Sequence, residues 1–429
     1  MTRCGPCRSL VPVGLADPLR SRSTPGRVFV ALLGVVALLG CAPTAGTTEA
    51  PAGTARAGVP SPNRADLTRF LDQLAAAGDE TRWRALIDPV DPHFATSAVW
   101  LRDNLAGLDV ELVPAAGVRV PAAQRQQLLG PEAVVQAVQA TWSVPGTAAA
   151  EHTLWLTLRP GPDGLRLAGI TDGPSYPNAE PLPVWWLEPV RILREGDVAV
   201  LAARSRDSDE WLPGLVEARE SVARRLPITA PLVAQLPGSA AGFERVLGVR
   251  SGSHRLVAAA ARPFGDAVQL VVNPEAGGST QGEARRVLLA HEVVHVAAGS
   301  VRGQGPLWLT EGYADLVAMA GHPAVVAAHE TYLADDQRRH GIATALVTDT
   351  ELRPDDARVH AHYQRAWFTV RVLDQGPESR SAPVGGVADR VHAAVLAGTP
   401  LEDALAAEGW STRTLTEAVS AELRRLVGQ

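Results

Sequence analysis

The chain has no lysine: all 40 of its basic residues are arginine. Alanine, glycine, proline and valine are abundant beside it, a bias that points to a GC-rich genome and to nothing about function. Cysteine is nearly absent, with three in 429 residues, at Cys4, Cys7 and Cys41. That scarcity excludes a scaffold stapled by disulfides, so the fold must rest on a hydrophobic core. Charged residues make up only 20% of the chain against 46% hydrophobic. A mainly disordered protein, which needs low hydrophobicity and high net charge, is thereby excluded. A net charge of −6 gives no broad basic face, which argues against nucleic acid as a partner. At 429 residues there is room for two or three domains.

What is present begins with a leader. Val28–Gly40 reads VFVALLGVVALLG, an apolar run of 13 preceded by Arg20, Arg22 and Arg27. It is short of the roughly 20 residues that span a membrane but suits the core of a secretory signal. The run ends in Leu38-Leu39-Gly40-Cys41, which resembles the lipobox of bacterial lipoproteins. That resemblance implies cleavage before Cys41, a lipid on its thiol, and a protein anchored on the extracytoplasmic face of the bacterial cell membrane. Cys4-Gly5-Pro6-Cys7 resembles a thioredoxin redox motif. It stands in the leader without the strand and helix that motif requires, so it carries no function. Residues 41–64, mostly Ala, Pro, Gly and Thr, read as a flexible tether.

Two folded regions follow, and the fold class is α+β. Residues 65–178 open with helical spacing at Leu67, Phe70, Leu71 and Leu74. Strand-like runs come next, at Val110–Val113, Val134–Trp142, Thr153–Leu158 and Leu165–Ile170. The last two flank Pro160-Gly161-Pro162-Asp163-Gly164, a hairpin signal. Helices and then an antiparallel sheet resemble the small NTF2-like or cystatin-like α+β fold. Residues 184–429 predict strands at Val198–Ala202, Pro231–Leu236, Leu256–Ala261 and Val268–Val272, with a helix over Trp211–Leu226. From Glu283 onward the pattern is mostly helical.

The chemistry lies between His291 and Asp315. His291-Glu292-Val293-Val294-His295 falls inside a helical run. Residues four apart share a helix face, so His291 and His295 can present both imidazoles to one ion. Glu292 stands close enough to act on a metal-bound water, and a third ligand would leave the fourth position of a catalytic zinc site open. Gly299, Gly303, Gly305 and Pro306 break that helix, and a second begins near Leu307 carrying Trp308-Leu309-Thr310-Glu311-Gly312-Tyr313-Ala314-Asp315. If it packs antiparallel to the first, Glu311 reaches the same ion.

HExxH followed by a Glu on the next helix resembles the gluzincin metallopeptidases. WLTEGYAD is similar to the WLNEGFA segment of the aminopeptidase N branch, and the region from Val184 to the end resembles peptidase-MA-like domains. The resemblance implies zinc held by His291, His295 and Glu311, with Glu292 as general base in peptide hydrolysis. Asp315 would hydrogen-bond a ligand histidine, as an Asp at this spacing does in thermolysin-like relatives. The oxyanion donor would be Tyr363, in Tyr363-Gln364-Arg365-Ala366, with His360 and His362 as rivals. Val268–Val272 would offer its edge to an extended peptide. No GxMEN segment stands between Arg255 and Ala290, so endopeptidase and exopeptidase both stay open. The competing expectation is a lipoprotein that uses a catalytically idle peptidase-like fold as a binding or assembly module.

Overall fold

Asn63 starts the first helix by accepting the backbone N–H of Asp66 on its side chain, satisfying one of the donors a helix leaves free at its beginning. In the computed structural model the described residues are 62–115, 120–121, 129–174, 179–255, 257–353, 356–375 and 386–428. The leader motifs, Cys41 and nearly all of the tether lie outside them. The described residues belong to one compact unit. Among them, no helix is long and apolar enough to cross a membrane.

Helices α1 (Arg64–Ala76), α2 (Glu80–Leu86), α3 (Pro92–Ser97) and α4 (Val99–Leu105) precede an antiparallel sheet. Its strands are β1 (Asp109–Pro114), the short β2 (Val120–Pro121), β3 (Val134–Ser143), β4 (Ala150–Gly161) and β5 (Gly164–Gly169). They run in the order β1-β3-β4-β5, with β2 against β3. The hairpin read from Pro160–Gly164 joins β4 to β5. α1 buries Leu67, Phe70, Leu71 and Leu74 on one stripe.

After the short helix α5 (Val184–Leu187) come β6 (Val190–Glu195), β7 (Val198–Ala203), α6 (Trp211–Ala223), β8 (Leu232–Leu236) and α7 (Ala240–Leu247). The hairpin of β9 (Ala259–Phe264) and β10 (Ala267–Val272) completes a second sheet, in the order β6-β7-β8-β10-β9. β7, β8 and β10 are parallel to one another, while β6 and β9 close the two edges antiparallel. The expected strand at Leu256–Ala261 thus lies further along, at Ala259–Phe264. α7 carries signals that are plain afterwards: Ser239 accepts the N–H of Gly242 at its start, and Gly248 ends it.

Both faces of this second sheet are covered. Val198, Val200 and Ala202 of β7 face the helical layer, while Ala199 and Leu201 join the core built by α1–α4 and the first sheet. The amino-terminal region therefore packs on the back of the second sheet in a shared core. Asn104 pins the seam: its amide donates to the carbonyls of Trp185 (2.7 Å) and Glu188 (2.9 Å) and accepts from the N–H of Val190 (3.0 Å). Gln235 accepts from the N–H of Val184 at 2.7 Å. Each of these buried polar groups would destabilise the seam if left unpaired.

The remaining chain is helical: α8 (Gly282–Ala298), α9 (Leu307–Ala318), α10 (Pro323–His340), α11 (Val359–Gln375), α12 (Val387–Leu396), α13 (Leu401–Ala407) and α14 (Thr412–Gly428). Sheets followed by a helical carboxy-terminal region make an α+β fold, as the sequence predicts.

Candidate metal centre

α8 is apolar around its middle, burying Val287, Leu288, Leu289, Val293 and Val294 between the sheet and the other helices. Three polar side chains share that interior: His291, Glu292 and His295 are each 2% exposed or less. Gly299 ends the helix with φ +65, a conformation that suits glycine. The chain then turns through Ser300–Arg302 and re-enters as α9. The side chain of Asp349 accepts the first N–H of α9, from Leu307, at 2.9 Å.

The return of α9 along α8 brings Glu311 to the two histidines. Nε2 of His291 and Nε2 of His295 are 3.0 Å apart, and Oε2 of Glu311 is 3.3 Å from the first and 3.7 Å from the second. Neither carboxylate oxygen of Glu311 finds a hydrogen-bond donor, although the residue is 1% exposed. Outside the cluster, Nδ1 of His291 lies 2.7 Å from Oδ1 of Asp315, and Nδ1 of His295 lies 2.8 Å from Oγ of Ser300. An ionised carboxylate only accepts, so His291 carries a proton on Nδ1, and a cation bound at Nε2 would displace any proton held there. A proton on Nδ1 of His295, donated to Ser300, leaves Nε2 of the second imidazole to the same cation. Two imidazole nitrogens and a carboxylate oxygen, converging in a water-poor interior, are a donor set that fits a divalent cation.

The charge balance agrees with that fit. Burial opposes the charged form of His291, yet Asp315 and Glu311 overcome it and hold its pKa well above the ordinary histidine value. Burial likewise opposes ionisation of Glu311, but His295 and His291 bring it down to about 2. The pocket as a whole draws positive charge. Glu292 goes the other way: burial raises it to about 6, against the pull of both histidines. Neither of its oxygens has a hydrogen-bond partner, and the backbone of Ala261 lies beside it.

Tyr363 sits in the second turn of α11, 7% exposed, and makes no hydrogen bond to a described residue. Burial, then the carboxylates of Glu311, Asp315 and Glu292, raise its pKa well above the usual tyrosine value, so its hydroxyl keeps its proton. Its rivals are placed differently. His362 turns Nδ1 to the carbonyl of Glu351 at 2.9 Å and lies near Asp356. His360 is half-buried. Gly312 faces the helix that carries Tyr363. A Cβ there would collide with the backbone carbonyl oxygen of Ala366 and stand 2.7 Å from Cγ2 of Val370. That glycine lets α11 lie directly on α9.

One expectation fails. Val268–Val272 belongs to β10, which is paired on both sides, with β8 and with β9. The terminal strand on that side is β9, whose Ala259 and Ala261 are fully buried. Pro263 has no N–H to give β10, so its pair with Val268 is one without hydrogen bonds. Alternation then turns the N–H and C=O of Ala261 and Ala259 outward as well. Ala261 points its backbone at the side of the site where Glu292 stands.

Ser300 and Gly312 were missed in the sequence, and so was His392. It stacks on Tyr313 at 4.0 Å, near enough to His295 for charge to be felt. No protein-family model matches this chain, and no curated protein sequence matches it.

Proposed function

We propose that the chain is a zinc-dependent peptidase of the gluzincin kind, built from an NTF2-like or cystatin-like region and a peptidase-MA-like region. The observation that carries the proposal is the buried convergence of His291, His295 and Glu311, with Glu292 unpaired beside them. Those three side chains would hold the metal, and zinc, when bound, supplies Lewis-acid polarisation of the scissile carbonyl and acidifies water.

The chain's own residues supply the rest. Glu292, raised to about 6, suits proton transfer near neutral pH. It takes a proton from the attacking water and returns it to the leaving amine. Tyr363 donates its hydroxyl to the oxyanion of the tetrahedral intermediate, a donor set in place before the reaction begins. Asp315 and Ser300 fix the tautomers of the two ligand histidines.

The same proposal places the protein outside the bacterial membrane on a lipid at Cys41, with a peptide or protein as substrate and no nucleic acid. A Cys41→Ser variant should lose lipid labelling and membrane fractionation; labelling that persists would refute that site. The activity itself is tested by offering broad peptide and unfolded-protein pools to zinc-loaded enzyme, with and without a chelator. Chelator-sensitive cleavage restored by zinc is the expected result. Zinc-loaded protein that cleaves nothing would favour the binding or assembly module instead.

A further inference from the structure

Three connections meet at one edge of the second sheet. β7, β8 and β10 are parallel, so the loops leaving their carboxyl ends, residues 204–210, 237–239 and 273–281, share that edge. In open sheets of parallel strands flanked by helices, ligands bind in the crevice outside such carboxyl ends. Arg206 lies across it. Its Nη1 donates to the carbonyl of Pro237 at 3.4 Å, and its Nη2 stands 3.9 Å from where a Cβ on Gly278 would be.

A second arginine joins it over one indole. The guanidinium carbon of Arg206 is 4.9 Å from the ring centre of Trp211, and that of Arg285, in the first turn of α8, is 5.0 Å from the same ring. The two cations are therefore held within about 10 Å of each other, the screening length at about 0.1 M salt. Arg285 is compensated: Nη1 pairs with Glu210, and Nε donates to the carbonyl of Thr280 at 2.8 Å. Arg206 is not. It pairs with no carboxylate among the described residues. Glu188 is turned to the N–H of Gly238 at 2.8 Å, and Asp209 to Arg191 at 2.7 Å. Burial and the charge of Arg285 bring the pKa of Arg206 down to about 10. Nε and Nη2 of Arg206 and Nη2 of Arg285 find no acceptor among the described residues.

We propose that this recess is an oxyanion site that takes a phosphate group between Arg206 and Arg285. Charge-assisted bonds of about 2.8 Å to oxygens on opposite sides of one phosphate reach across such a pair. An anion there gives Arg206 the partner that the fold withholds and relieves the repulsion between the two guanidiniums. The phosphate is either free in solution or the headgroup of a lipid. Trp211 is 3% exposed and the Arg285 side chain 16%, a recess that suits the free ion. Arg285 stands more than a turn and a half before His291 on α8, and the proposal does not depend on the metal reading.

The test is calorimetric titration of the full chain with inorganic phosphate at constant ionic strength, on zinc-loaded protein and again after chelation. Thermal midpoints are recorded for every variant. One saturable site per chain is expected in both states. Arg206→Gln and Arg285→Gln should each weaken it by about tenfold or more. Arg286→Gln removes a neighbouring charge that pairs with Glu217 at 3.1 Å, and should change the affinity by less than about twofold. Should Arg206→Gln fail to fold, Arg206→Lys replaces it; it keeps the charge, loses the fork and should weaken binding severalfold. Vesicles of phosphatidic acid and of phosphatidylcholine, offered to the Cys41→Ser chain, separate the sources. Arg206-dependent sedimentation with phosphatidic acid, without a titration by the free ion, would support the site with a lipid headgroup as its ligand. Saturable binding of neither probe, unchanged affinity in either arginine variant, equal losses in Arg286→Gln and Arg206→Gln, or binding seen only while zinc is bound would each overturn the proposal.

Discussion

Nδ1 of His291 lies 2.7 Å from Oδ1 of Asp315, and the two residues come from different helices, α8 and α9. This bond turns an i, i+4 pair of histidines into a pair with a defined protonation pattern. Glu311 and Asp315 are also four apart, so one face of α9 contributes a carboxylate to each side of the same imidazole. Asp315→Ala should therefore weaken zinc binding by about ten- to hundredfold while leaving all three metal-binding side chains in place. Chelator competition measures it, and an unchanged dissociation constant would remove Asp315 from the site.

Burial, with the charges of Glu311, Asp315 and Glu292, keeps the proton on the Tyr363 hydroxyl. Tyr363→Phe should retain zinc and the thermal midpoint of the wild type but slow turnover by roughly a hundredfold or more, the usual loss for one oxyanion donor. Steady-state kinetics with a cleaved peptide decides it. Near-normal kcat, with a large loss in His360→Ala or His362→Ala, would pass the role to a histidine.

Gly312 sets two effects against each other. Alanine in a helix interior is ordinarily favoured over glycine by up to about 1 kcal/mol. Here a Cβ meets the backbone of Ala366, which cannot step aside as a side chain can. Overpacking of this kind costs about 1–3 kcal/mol and wins. Gly312→Ala should lower the denaturation midpoint and, by pushing α11 from α9, reduce turnover more than it reduces zinc content. A variant as stable and as active as wild type would show that the helices separate freely.

How much of this was legible follows from where each signal lives. His291, His295 and Glu292 share one turn and a half of one helix, so their spacing alone brings them together. Glu311 needed only a helix break after Gly299 and a second apolar helix. Ser300 was not legible, because a serine after a helix says nothing until packing sets it beside an imidazole. Strand order was hidden for a different reason. β7, β8 and β10 are buried on both faces and read as continuous apolar runs, with no alternation to mark an edge. The shared core behind the sheet was concealed by the same runs, since Ala199 and Leu201 look no different from Val198 and Val200.

That shared core gives a pH dependence away from the metal. His152 accepts the indole N–H of Trp142 on Nδ1 at 3.0 Å and stacks on Phe264 of the second sheet at 4.7 Å. Burial, reinforced by Arg262, lowers its pKa to about 3 from 6.5. The folded value lies below the unfolded one, so the unfolded chain takes up the proton first. Stability is fully present above about 6.5 and declines as pH falls toward 3. His152→Phe should flatten the fall in thermal midpoint between about pH 7 and pH 4.5. Parallel curves for variant and wild type would exclude His152 as the cause.

The central claim is that one buried centre both holds zinc and hydrolyses peptides, with Glu292 moving the proton. It is tested most directly by measuring bound zinc and peptide cleavage on the same zinc-loaded samples of wild type and Glu292→Gln. The account predicts one zinc per chain in both proteins and cleavage in the wild type alone. Cleavage undiminished in Glu292→Gln, or a wild-type chain that binds no zinc, would contradict it.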